Sequence, residues 1–176
     1  MNTKQLLRQL SLLPLFVVCG WAQAPVSGGF SLKTLTQVKV AVFFNEGQGT
    51  GAASEKVLAK DLGLHEGTLQ IETELRLREA GFKVFQPASP NRDSYPSFTI
   101  QISSAGIDAV SIEVALTETA TLDRSSLRAW VTTWSYGAIL QGPTSTSIRQ
   151  AIRDSVSVFL NQWLADRQKL MLRYPP

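Results

Sequence analysis

The sequence predicts an α+β fold: a two-layer sandwich in the order β-α-β-β-β-β-α, a mixed sheet of about five strands with two helices on one face. Three observations predict it. An apolar run, Val38 to Phe44, is followed by a helix-period segment that stops at Gly81 and re-enters a short apolar run, Phe82 to Phe85. Three segments between Ser97 and Tyr136 then alternate apolar and polar residues with turn residues between them. Helical spacing returns from Ile148 to Leu170.

The first strand, Val38-Lys-Val-Ala-Val-Phe-Phe44, is β-branched and aromatic with Lys39 as its one charge, which suits a central place in a sheet. The helix after it, beginning near Leu64, carries two apolar stripes. Leu64, Thr68, Ile71 and Leu75 make one; Leu69, Thr73, Leu77 and Ala80 make the other. The expectation is that Leu64, Ile71 and Leu75 face the sheet. Leu69, Thr73 and Leu77 are then the candidate partner face, covered by the second helix within the monomer (the preferred reading) or by a homodimer or another envelope protein. Glu72–Arg76 and Glu74–Arg78 have the spacing of helix ion pairs and mark solvated edges. Gly81 is a left-handed stop, and strand–helix–strand order implies a right-handed crossover between parallel strands.

In the antiparallel meander that follows, Phe98, Ile100 and Ile102 share a face, as do Val110, Ile112, Val114 and Leu116. On the last strand, regular alternation puts Trp130, Thr132, Trp134 and Tyr136 on one face beside Arg128. Exposed, Arg128, Trp130, Trp134 and Tyr136 form a candidate ligand face for a glycan or small molecule; buried, they are core, the preferred reading. Leu127, Ala129 and Val131 occupy the alternate face. Ser147-x-x-Gln150 reads as a capping box for the second helix, with Ile148, Ile152, Val156, Phe159, Trp163 and Leu170 on its inner face.

The N-terminus reads separately. Lys4 and Arg8, then an apolar run Leu10 to Val18, then Ala22-Gln-Ala24, have the layout of a secretory signal peptide. The expected organisation is a leader over 1–24, a flexible lead-in over 25–37, a single domain over 38–170 and a frayed tail over 171–176. Cleavage after Ala24 would leave Pro25 first, so Ala22 is the fallback. Val18 is too large to precede a lipidated cysteine, which makes membrane attachment through Cys19 the lesser reading. Loss of the leader removes Lys4 and Arg8 and leaves 15 basic residues of the original 17 against 14 acidic ones. The pI near 9.2 therefore overstates any attraction for nucleic acid, and no nucleic-acid partner is expected. Cys19 is the one cysteine, so the exported chain would lack disulfides and thiolate chemistry.

Candidate chemistry is sparse. Gly47-x-Gly49-x-x-Ala52 after a strand resembles a dinucleotide turn, but the polar stretch Ser54–Gly63 intervenes before any helix; a mobile loop is preferred. His65, the one histidine, lies outside any His-Glu-x-x-His pattern, and Glu113 and Glu118 fall on opposite strand faces. No catalytic residue, metal site or cofactor is expected, and a hydrolase using His65 ranks last.

Glu72-Thr-Glu-Leu-Arg-Leu-Arg-Glu-Ala-Gly81, Ile112-Glu-Val-Ala-Leu116, Thr132-Thr-Trp134 with Gly137, Ile152-Arg-Asp-Ser-Val156 and Phe159-Leu-Asn-Gln-Trp163 together resemble a widespread group of secreted bacterial proteins. The resemblance covers most of the chain after the leader and carries no catalytic motif. In architecture alone, the order is similar to small envelope domains such as the N-terminal domain of TolB and the lipoprotein LptE. These readings converge on an exported, non-enzymatic interaction domain of the periplasm, with a ligand-binding module as the alternative.

Overall fold

Strand alternation and helix periodicity produce the expected layers in a computed structural model that describes residues 26–27, 32–45, 62–85, 95–104, 108–122 and 127–173. The strands are β1 (Val26–Ser27), β2 (Gln37–Asn45), β3 (Lys83–Phe85), β4 (Ser97–Ser104), β5 (Ala109–Leu122) and β6 (Leu127–Gln141). The helices are α1 (Glu66–Glu79) and α2 (Ser145–Arg173), with a 3-10 turn at Leu32–Thr34. The sheet order is β1-β6-β5-β4-β2-β3. β2 pairs in parallel with both β3 and β4, while β4, β5 and β6 form an antiparallel meander. The five expected strands are thus joined by a two-residue edge strand.

Both helices lie on one face. Val38, Val40 and Val42, Phe98, Ile100 and Ile102, and Val110, Ile112, Val114 and Leu116 are buried in one cluster with Leu69 and Leu77 of α1. Ile148, Ile152, Val156, Phe159 and Trp163 of α2 complete it. At about 1.5–3 kcal/mol per large apolar side chain, this burial offsets the entropy of ordering the chain.

Helix α1 inverts the expected stripes. Leu69, Thr73 and Leu77 are buried, whereas Ile71 is 67% and Leu75 55% exposed. The helix ends decide its phase. Gly81, at φ +94°, donates its N–H to the Arg78 carbonyl, and Phe82 donates to that of Leu77, a left-handed terminus that brings Leu77 and Phe82 to the same side. At the other end Leu64, just before the N-cap His65, and Leu69 occupy staple positions, and both are buried. Leu64 therefore enters the core as part of the helix start, separately from Ile71 and Leu75.

The residues between α1 and α2 are also paired differently from the helical spacing. Arg78 bonds Glu74 at 2.7 Å as expected, but Glu72 turns to Arg149 and Arg153 of α2. Arg76 donates to the Arg153 carbonyl and Ser157 Oγ. These partly exposed groups orient two helices that apolar packing already holds, so each adds little.

Three further expectations change. Within the expected lead-in, the described residues 32–37 pack against the domain: Leu32 and Leu35 are buried, and the Leu35 carbonyl accepts a hydrogen bond from Trp163 Nε1 at 2.8 Å. The cap of α2 lies one turn earlier than Ser147–Gln150. Ser147 donates its N–H to Thr144 Oγ1 at 3.1 Å while Thr144 N–H donates to Ser147 Oγ at 2.9 Å. Gln150 instead bonds Asp154 within the helix. The helix then runs through Arg173, so 171–173 are helical. The leader, Cys19 and the Gly47–Gly51 stretch lie outside the described residues.

Candidate functional site: the open face of the sheet

A sheet with helices on one face presents the alternate residues of every strand on the other. These are Lys39, Ala41 and Phe43 of β2; Ser97, Thr99 and Gln101 of β4; Ser111, Glu113, Ala115 and Thr117 of β5; and Thr132, Ser135 and Ile139 of β6. No described helix contributes to this face. Most of its residues are small or polar, but Phe43, Trp130 and Ile139 are each nearly half exposed.

Trp130 is there because β6 is irregular. β6 pairs with β5 from Gln141↔Ala109 to Leu127↔Leu122, so one extra residue must be absorbed. It is absorbed at Thr133, between the pairs Trp134↔Leu116 and Thr132↔Thr117. Thr133 is buried, and its hydroxyl donates to the Leu116 carbonyl at 3.4 Å. A bulge shifts the alternation by one, so the expected strip divides. Trp134 lies in the core, stacked near Phe98 and edge-on to Phe159, and its Nε1 donates to Gln162 Oε1 at 3.0 Å. Tyr136 is partly buried beside it at a ring distance of 6.5 Å. Arg128 and Trp130 fall on the open face, exposed. The candidate ligand face is thereby corrected: Arg128 and Trp130 remain, while Trp134 and Tyr136 belong to the helix side.

The structure brings other residues to Trp130 instead. Lys39 Nζ sits 5.1 Å from its ring centroid. By register Ser97 and Thr117 lie between Lys39 and the β6 edge, and both are small enough for the two long side chains to meet above them. Phe85 is the register partner of Lys39 on β3, and its ring stacks on Tyr95 at 3.9 Å. Lys83 Nζ lies 5.1 Å from the Phe85 centroid. One end of the open face thus carries Lys83, Phe85, Tyr95, Lys39, Trp130 and Arg128 in a band across the sheet. The alternation of Lys83-Val-Phe85 hinted at this, but only the register of β3 against β2 places Phe85 beside Lys39.

No protein-family model matches the chain, and no curated protein matches it. Among solved structures it is similar to a PelC dodecamer from Paraburkholderia phytofirmans, with a TM-score of 0.37 and 9% identity over 82% of this chain and 96% of that one. The functional reading rests on the residues themselves.

Leu69, Thr73 and Leu77 are buried against the core and cannot be a partner face in the folded monomer. Leu69 and Thr73 line a small groove between the helices together with Glu72, Arg76, Ile152, Arg153 and Val156. His65 is the exposed N-cap of α1; its carbonyl accepts from the Thr68 and Leu69 amides and its side chain makes no capping bond. Glu66, next to it, accepts the Phe44 amide at 3.3 Å. Glu113 is exposed on the open face. Glu118, five residues on, points to the other face by alternation.

Proposed function

We propose that the chain is an exported, non-enzymatic domain of the bacterial envelope that works by binding another envelope component through the open face of its sheet. The observation that carries this reading is the asymmetry of the sheet. Both helices bury one face, while the other presents half-exposed Trp130, Phe43 and Ile139. The leader layout at residues 1–24 and the resemblance to secreted bacterial proteins support the address. With Leu69, Thr73 and Leu77 committed to the core, the interaction passes from the helices to the sheet.

A second reading, a module binding a glycan or small molecule, is favoured by Trp130, whose exposed ring lies beside cationic side chains.

The address has its own test. Expressed with its leader in a Gram-negative host, the protein is expected in the periplasmic fraction, with an intact mass that begins after Ala22 or Ala24. A full-length chain retained in the cytoplasm would contradict export, and a lipid-modified Cys19 terminus would contradict release from the membrane.

A further inference from the structure

We infer that the band Lys83–Phe85–Tyr95–Trp130–Arg128 is a binding site for an acidic, carboxylate-bearing polysaccharide, a ligand assignment that rests on the envelope reading above. The geometry comes from three independent placements. Phe85 and Tyr95 form a stacked pair at the β3 edge. Trp130 is delivered to the same face by the bulge at Thr133. Lys39, register partner of Phe85, reaches over to the Trp130 ring and links the two aromatic groups. From β3 to β6 the band crosses four strand spacings, about 19 Å, which suits an extended chain rather than a single small molecule.

Charge selects the ligand. Lys83 and Arg128 flank the aromatic groups at either end, both exposed, and neither enters an ion pair among the described residues. The described carboxylate on this face, Glu113, lies four residues along β5 from Thr117, about 13 Å from the row that holds Lys39. Among the described residues this end of the face is therefore cationic, although the chain as a whole is nearly neutral. Flat rings beside cations match a polymer of sugar rings that carry carboxylates. The apolar C–H faces of the sugars lie on the electron-rich rings, and the carboxylates meet the Arg128 fork and the Lys83 ammonium. A nucleic acid would ask for a continuous basic groove along its phosphates, and this band offers separate cations between rings.

The test is calorimetric titration of the processed full chain with oligogalacturonate, with maltoheptaose as the neutral sugar and a thymidine oligonucleotide as the competing polyanion. Oligogalacturonate is expected to bind at low salt and weaken as salt rises, with little or no binding of the other two. Trp130→Ala and Lys83→Glu should each weaken binding about tenfold while melting as cooperatively as the parent. Ile71→Ser, on the exposed outer side of α1 and away from the sheet, should leave binding unchanged. Absence of oligogalacturonate binding, equal binding of maltoheptaose, preference for the oligonucleotide, or an equal loss in Ile71→Ser would each overturn the inference. Such a failure in a correctly exported chain removes the glycan assignment alone; a chain retained in the cytoplasm that still binds oligogalacturonate removes the export reading and leaves the site.

Discussion

Replacing Leu69 and Leu77 together by Ser is expected to unfold the domain. Both side chains are 1% exposed or less, on the stripe of α1 that meets the sheet and α2. Each substitution removes a buried leucine and leaves a hydroxyl in its place, a loss of about 3 kcal/mol or more apiece from transfer, cavity and unpaired polar terms. Their sum, about 6 kcal/mol, reaches the stability typical of a single domain. Leu77 carries a further role, because the Leu77 carbonyl and the Phe82 amide close the end of the helix. The paired control is Ile71→Ser with Leu75→Ser, two changes of identical chemistry on the exposed stripe. That variant should keep its far-UV circular dichroism and melt within a few degrees of the parent. Equal loss in both variants would show that the phase of α1 is wrong. Retained fold in the Leu69/Leu77 variant would return that stripe to candidacy as a partner face.

The second large effect separates two tryptophans four residues apart. Trp134→Ala should cost about 3–5 kcal/mol and lower the melting temperature by roughly 10 °C or more, since it empties a fully buried site and orphans Gln162 Oε1. Trp130→Ala should cost about 1 kcal/mol or less, the scale of one exposed ring and its contact with Lys39. Regular alternation would give the two residues the same environment; only a bulge between them gives this difference. Comparable melting temperatures for the two variants would mean that β6 is regular and that the aromatic strip is whole.

These two contrasts mark where the sequence was legible. Alternation placed Phe98, Ile100 and Ile102, and Val110 to Leu116, on the buried face, because two regular strands leave no freedom once one face is covered. Helical period likewise found the inner face of α2 from Ile148 to Trp163. The phase of α1 was harder. Ile71 and Leu75 outweigh Leu69 and Thr73 in apolar content, so composition pointed to the wrong stripe. The signal that would have corrected it was present in the helix ends, Leu64 with Leu69 and Leu77 with Phe82 around Gly81, because terminal motifs fix rotation as well as length. The bulge at Thr133 had no such local mark. It arises from one extra residue in β6 relative to β5, a property of the pairing rather than of either strand. The same holds for the band across the open face: Phe85, Lys39 and Trp130 lie far apart in the chain and meet only through register. The burial of Leu32 and Leu35 was illegible for a related reason, since they pack under a helix more than a hundred residues away.

The most direct test of the account is site-specific photo-crosslinking in the native envelope, with the photoreactive residue placed in turn at positions 130, 85, 71 and 75. Adducts are expected from 130 and 85, on the open face of the sheet, and none from 71 or 75 on the outer side of α1. Adducts from the helix positions with none from the sheet would contradict it.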